Sequence, residues 1–140
     1  MLITKCHGSD KFRLVTDFQN LNSQCLRETH HVQSPFKLAC QVPAHTKKTV
    51  LDATDGYHSI ELDEESRKLA TFITTRARFH YRRLPQGFKA AGDAYSRRYD
   101  EIIKDVRDKV KCVDDTLLHD ATIKESYFHT WDYLSLCAEN

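Results

Sequence analysis

No stretch of the 140 residues is apolar enough, for long enough, to cross a membrane. The opening Met1-Leu-Ile-Thr-Lys-Cys-His7 has no apolar core of the kind a secretory signal needs. The five cysteines, Cys6, Cys25, Cys40, Cys112 and Cys137, contain no CxxC pair. An odd, scattered set argues against a disulfide framework and fits a reducing compartment. Cys25, His30, His31 and Cys40 could be grouped around a zinc ion, but their spacings match no standard zinc motif. Nor does one sign of charge dominate: 21 Lys/Arg face 20 Asp/Glu, for a net +1. What is present is 40% hydrophobic and 29% charged residues, a soluble globular composition long enough for one domain with a real core.

The balanced total hides blocks. Residues 1–48 sum to +4, residues 49–75 to −4, residues 76–98 to +6 and residues 99–140 to −5. Ordinary surface charge can give such a pattern. So can a polyanion held on the basic blocks, with metal ions at the acidic ones.

Local patterns predict strands and helices in mixed order. Residues 11–18 read as a strand, and Gly8-Ser9-Asp10 as a turn, giving a hairpin from about residue 2 to 18 with Lys5, Lys11 and Arg13 near its tip. Residues 19–48 read as mostly irregular, because Asn20, Asn22, Ser34, Pro35 and Pro43 break periodicity, with a short helix within 38–46. Residues 49–62 begin as a buried strand that ends at Asp52 and turns at Asp55-Gly56. Residues 63–68 place acids before bases, as a short helix does. Residues 70–75 and 79–83 form a second hairpin, with Arg76 and Arg78 assigned to its turn. In the loop Leu84-Pro-Gln-Gly-Phe88, Pro85 fixes φ and Gly87 permits close backbone approach to a ligand. Ala94, Tyr95, Ile102, Val106 and Val110, with Tyr99, predict a helix over about 91–108. Ile123, Tyr127, Trp131, Leu134 and Cys137 predict an amphipathic helix over 121–140, capped by Asp120 or Thr122, with this stripe as core.

The chemistry concentrates in Lys111-Cys-Val-Asp-Asp-Thr-Leu-Leu118. Two adjacent carboxylates sit in a run that otherwise reads as a buried hairpin. Each costs several kcal/mol to desolvate unpaired, and neighbours repel. From these eight residues alone, a solvent-exposed Asp-Asp turn is the simpler reading. A divalent cation is the other way to neutralise the pair. Asp52, at the end of a strand and followed by a turn with free backbone N–H groups, is a second place where metal and phosphate could meet.

Four pieces stand in fixed order: Lys11-Phe-Arg-Leu-Val-Thr-Asp-Phe-Gln-Asn-Leu-Asn22, Leu51-Asp-Ala-Thr-Asp-Gly-Tyr-His58, Leu84-Pro-Gln-Gly-Phe88 and Cys112-Val-Asp-Asp115. Together they resemble the reverse transcriptase of retroviruses and gypsy-type long-terminal-repeat retrotransposons, over roughly residues 2–137. The resemblance implies an α+β fold: right-hand polymerase fingers (about 1–48 and 64–90) and partial palm (about 49–63 and 91–140), an antiparallel sheet with helices on one face. Asp52, Asp114 and Asp115 match the family's catalytic and metal-binding carboxylates. Tyr57 matches the aromatic residue that rejects a ribose 2′-OH, and Asp55 and Gly56 the turn that receives the triphosphate. Arg13 and Lys5 match fingers residues over the incoming nucleotide, and Gln86 and Gly87 the loop beneath the nascent base pair.

The implied reaction is attack of a primer 3′-OH on the α-phosphate of a dNTP, with two Mg²⁺ about 3.5–4 Å apart, Mn²⁺ being a possible substitute. The implied partners are an RNA or DNA template with primer, dNTP, and the thumb, connection and RNase H portions of a retrotransposon polyprotein, which this stretch lacks. An intracellular setting, cytoplasmic or in virus-like particles, is expected, with no membrane partner. Two departures stand out: Cys112 replaces the usual tyrosine before the two acids, and a residue around Gly92 replaces the usual proline. The alternative reading is an inactive palm remnant that at most binds nucleic acid. A nucleotidyl cyclase is disfavoured by the Leu-Pro-Gln-Gly loop and the basic hairpin.

Overall fold

A computed structural model describes the backbone of residues 2–5, 12–27 and 29–140, and the side chains of residues 15–27 and 29–140. The turn expected at Gly8-Ser9-Asp10 therefore lies outside the described residues, as do Lys11 and the side chains of Lys5 and Arg13. The chain divides into two compact units. One holds residues 1–29 and 55–93, the other residues 30–54 and 94–140.

In the first unit, β1 (Leu2–Lys5) pairs antiparallel with β2 (Phe12–Val15), Thr4 opposite Arg13 and Lys5 opposite Phe12. Residues 19–24, expected to be irregular, form a helix, α1 (Gln19–Gln24). Asp17 Oδ1 accepts from the Gln19 N–H at 2.9 Å, so a short polar side chain opens the helix that Asn20 and Asn22 seemed to forbid. A 3-10 turn covers Gly56–Ser59. Helix α3 (Glu64–Leu69) is capped by Asp63, which accepts from the Ser66 N–H at 2.9 Å. Strands β4 (Thr71–Ile73) and β5 (Arg78–His80) pair antiparallel, so Arg78 lies in a strand and not in the turn. Phe18, Phe72 and Tyr81 pack ring on ring beneath them, and Thr16 Oγ1 bonds the Tyr81 hydroxyl at 3.0 Å.

The second unit is a three-stranded antiparallel sheet in the order β3 (Lys47–Asp52), β7 (Asp115–Asp120), β6 (Lys109–Cys112). Helix α2 (Pro35–Ala39) begins with its proline, where the missing N–H is harmless. It lies a few residues earlier than the helix expected within 38–46. Helix α4 (Ala91–Ile103) ends five residues before its expected limit. Val106 and Val110 fall outside it, and the buried end residue is Ile103, 1% exposed, in place of Ile102. Lys109 Nζ closes that end by donating to the Lys104 and Val106 carbonyls at 3.2 and 2.6 Å.

Strand pairing puts Thr49, Leu51, Thr116, Leu118 and Lys111 on one face of the sheet, and Val50, Asp52, Asp115 and Cys112 on the other. The first face is the core side, with Thr116 and Leu118 both 0% exposed. The Tyr99 hydroxyl of α4 bonds Thr116 Oγ1 at 2.9 Å and also the Tyr133 hydroxyl. Tyr133 belongs to α5 (Ile123–Glu139), whose cap is Thr122 in a capping box with Glu125. Burial pushes the Tyr133 hydroxyl well above the usual phenol range.

The expected core stripe of α5 is reversed. The helix buries Ser126, His129 and Tyr133, while Ile123, Tyr127, Trp131 and Leu134 are 74, 63, 62 and 50% exposed. Its inner side is polar because it meets polar partners. Ser126 Oγ bonds Thr49 Oγ1 at 2.9 Å, and His129 Nδ1 bonds Asp120 Oδ1 at 3.0 Å.

Candidate active site

The second unit gathers the three candidate carboxylates by register alone. Asp52 ends β3 and pairs directly with Asp115, the first residue of β7. Cys112, the last residue of β6, pairs with Asp115 from the other side. Val113 and Asp114 form the two-residue turn between them. The Ala53 N–H donates to the Asp114 carbonyl at 3.1 Å, tying the end of β3 to this turn. Val113 sits at φ 55°, a left-handed conformation that a β-branched side chain resists. Such strain, of order 1–3 kcal/mol, persists only where the surroundings enforce it.

The electrostatics are unbalanced. Asp52 and Asp115 are exposed, but Asp114 is half-buried, and its Oδ1 is buried with no hydrogen-bond partner among the described residues. Burial, and then the charges of Asp52 and Asp115, hold its carboxyl above the usual aspartate range. Lys111 opposes this. That lysine reaches the core face, where its Nζ donates to Asp100 Oδ1 at 2.7 Å and to the Ser96 carbonyl at 3.1 Å. His30 Nε2 holds the other Asp100 oxygen at 2.7 Å. Burial works against the Asp100 charge, but Lys111 and His30 keep its carboxyl below the usual range.

Among the described residues, no three His, Cys, Asp or Glu side chains close into a ready-made metal cluster, the zinc grouping of Cys25, His30, His31 and Cys40 included. The carboxylates nonetheless fit a hard divalent cation. They offer oxygen ligands only, one oxygen is orphaned, and their mutual repulsion is what a cation would relieve.

The other candidates lie in the first unit. Asp55, and not Gly56, takes the left-handed conformation, at φ 55°. Its carbonyl accepts from the His58 N–H at 2.8 Å. Gly56 and Tyr57 follow in the 3-10 turn, Tyr57 being half-buried. A Cβ built on Gly92 would lie 3.9 Å from Tyr57 Oη, an ordinary contact. Arg83 holds this turn, a role that no local pattern signals. Its Nη1 donates to the His58 and Ser59 carbonyls, both at 3.1 Å, and its Nη2 to Glu61 at 3.2 Å.

Gln86 is exposed and Gly87 has φ 90°, which explains the glycine. Asn22 clamps this loop: its Nδ2 donates to the Gly87 carbonyl at 3.0 Å and its Oδ1 accepts from the Lys89 N–H at 2.8 Å. The asparagine read as a helix breaker is a brace. The only sequence signal was its place in the motif Lys11–Asn22. Lys5 and Arg13 occupy β1 and β2.

The comparison with known families gives the class of enzyme, the template-copying polymerases. Residues 3–137 match the reverse transcriptase (RNA-dependent DNA polymerase) family, and the chain belongs to it. Its curated relatives include the retrovirus-related Pol polyproteins of the Drosophila melanogaster transposons opus and gypsy. Each is 28% identical, over 94 and 82% of this chain and 13 and 11% of those polyproteins. The transposon 412 polyprotein is 32% identical over 62% of this chain and 7% of its own length. The chain thus spans only a small part of these relatives.

Among solved structures, foamy viral protease-reverse transcriptase in complex with double-stranded DNA superposes with a TM-score of 0.89 at 18% identity. The superposition covers 98% of this chain and 24% of that one. The native prototype foamy virus enzyme superposes with 0.83 at 20% identity, covering 98% of this chain and 18% of that one. The fold is α+β, that of right-hand polymerase fingers and partial palm. No helix among the described residues is long and apolar enough to cross a membrane.

Proposed function

We propose that this chain carries the nucleotidyl-transfer site of an RNA-directed DNA polymerase encoded by a retrotransposon. The observation that carries the proposal is the register pairing of Asp52 with Asp115 beside the orphaned Asp114 carboxylate. These three would hold Mg²⁺, or Mn²⁺ in its place, and the bound ions would supply charge stabilisation for the attacking and leaving oxygens.

The chain's own residues do the rest by positioning and electrostatics, with no covalent enzyme adduct. The strained turn fixes Asp114 against relaxation. The Asp55-Gly56 backbone receives the triphosphate of a dNTP. Tyr57 lies beneath its sugar and excludes a 2′-OH by clash and desolvation. Gln86 and Gly87 support the nascent pair, and Arg13 and Lys5 cover the nucleotide from the fingers. Template and primer, RNA or DNA, run over the basic blocks. Fingers fall at about 1–48 and 64–90 and palm at about 49–63 and 91–140. Catalysis draws on the thumb, connection and RNase H of the same polyprotein, in an intracellular setting.

The test is primer extension on an RNA template by the chain joined to its native downstream sequence. Metal-dependent dNTP addition that disappears in Asp114→Asn supports the reading. A well-folded protein that binds template–primer but adds no nucleotide with either metal supports the inactive remnant instead.

A further inference from the structure

Strand alternation asks for an apolar residue at position 111, on the core face of β6 and opposite the fully buried Thr116. A lysine stands there instead, its side chain only 9% exposed. Its Nζ donates to Asp100 Oδ1 at 2.7 Å and to the Ser96 carbonyl at 3.1 Å, and lies 5.0 Å from the centre of the Tyr99 ring. All three partners are on α4. Asp100 is held from a second side, because His30 Nε2 engages its other oxygen at 2.7 Å. Lys109, two residues earlier on the same face, donates to the Lys104 and Val106 carbonyls just past α4. Two lysines thus staple β6 along the length of this helix.

A buried ion pair is a poor source of stability, since taking a lysine out of water is costly and an apolar pair of similar volume often does as well. What the pair supplies is a fixed direction. The rung Lys111–Thr116 is the last before the tip pair Cys112–Asp115, and both of its ends are tied to α4, Thr116 through the Tyr99 hydroxyl. A two-residue hairpin turn of the favoured kind demands a positive φ at its first residue, here Val113 at 55°. A pinned rung keeps the hairpin from relaxing out of that conformation. We propose that Lys111, with Asp100, is a positioning residue of the nucleotidyl-transfer site: the pair pins β6 to α4 and so holds Asp114 and Asp115 in place at the tip. This role rests on the reading of those carboxylates as the reacting site. The lysine's charge also reaches Asp114, where it opposes the effect of burial and of the neighbouring carboxylates.

Two measurements on the chain joined to its native downstream sequence test this. The Ala53 N–H donates to the Asp114 carbonyl, so its hydrogen exchange reports whether the tip is seated against β3. Lys111→Met should speed that exchange about tenfold and leave the amide of Leu118, in the central strand of the same sheet, unchanged. In metal-dependent primer extension the same variant should lower kcat about tenfold, with the KM for dNTP within about twofold of the native value. Lys111→Arg, which keeps the charge, should recover most of kcat. The paired apolar variant Lys111→Met, Asp100→Leu should melt no lower than the native chain and still show the fast Ala53 exchange and the low kcat. Native exchange at Ala53 in Lys111→Met overturns the proposal. So does faster exchange at Leu118 to the same degree, which would make the loss a general one, or kcat restored in the apolar pair, which would make the lysine a filler of space. If the native chain itself adds no nucleotide, the reading of the site fails, and the Ala53 exchange still decides whether Lys111 holds the tip.

Discussion

The two units hold their candidate residues by different physical means. In the sheet unit, Asp52 and Asp115 are placed by ladder register, and a one-residue slip would send both to the core face. In the other unit, Asp55, Gly56, Tyr57, Gln86 and Gly87 sit in turns and loops braced by side chains from far along the sequence, Arg83 and Asn22. Register is a collective property that single substitutions seldom move. A brace is one or two hydrogen bonds and fails when one residue changes. Charge changes in the sheet unit should therefore alter chemistry and leave structure intact, whereas changes to the braces should alter nucleotide handling and local stability together.

The largest expected effect is on catalysis. In the chain joined to its downstream sequence, Asp52→Asn or Asp114→Asn should lower the primer-extension rate by about 10³-fold or more, with template–primer affinity little changed. Retained activity in either variant would remove that carboxylate from the chemistry. Next in size is selectivity. Tyr57→Ala should raise ribonucleotide incorporation about 100-fold relative to dNTP, because a clash and an unpaired hydroxyl are both relieved. Equal losses with both nucleotides, together with a lower melting temperature, would make Tyr57 a packing residue.

Smaller effects follow from the brace. Asn22→Ala removes two hydrogen bonds, each worth about 0.5–1.5 kcal/mol. It should raise the KM for dNTP several-fold and lower the melting temperature by a few degrees. Gly87→Ala makes only ordinary contacts, its Cβ 3.8 Å from Phe18 Cδ2 and from the Thr16 carbonyl oxygen, so its cost comes from φ, about 1–2 kcal/mol. If Asn22→Ala moves stability but not KM, the loop is not part of the nucleotide site.

The smallest effect has a sign opposite to that of most substitutions. Because the Asp114 carboxyl lies above its ordinary range in the folded chain, the folded state holds that proton more tightly than the unfolded state does. Stability therefore falls as pH rises from the ordinary aspartate pKa through the folded one, and at neutral pH the whole penalty is present. Asp114→Asn should raise the melting temperature at pH 7. The gain should fade as pH falls below the ordinary aspartate pKa of about 3.9, where both states of the native residue become protonated. A thermal-melt series across pH checks the direction.

The same division decides what the sequence could tell. Asp52 and the Asp114–Asp115 turn were legible because alternating apolar residues on both sides specify strands, and strands specify register. Helix α3 was legible from its acids-before-bases order, although its Asp63 cap was not singled out. The braces were not, since Asn22 to Gly87 and Arg83 to Ser59 are long-range bonds with no periodic trace. The side on which α5 is buried was misread because its stripe is apolar in the ordinary sense. What overrides that pattern is a set of polar partners, Thr49 and Asp120, that only the fold brings under it. The turn at Asp55-Gly56 was legible, but not that Asp55 is its left-handed residue. Aspartate tolerates that conformation better than most residues.

Val113 carries a last consequence. The hairpin tip combines a branched side chain in a backbone conformation it resists with a carboxylate crowded by two others. Replacements that relieve either one would make the molecule sturdier. In a copy of the element released from the demand to replicate, drift would erase this tip early, because mutation and folding would push the same way. An intact tip is thus a clock of sorts, and sister copies of this sequence could be ordered by how far theirs has relaxed.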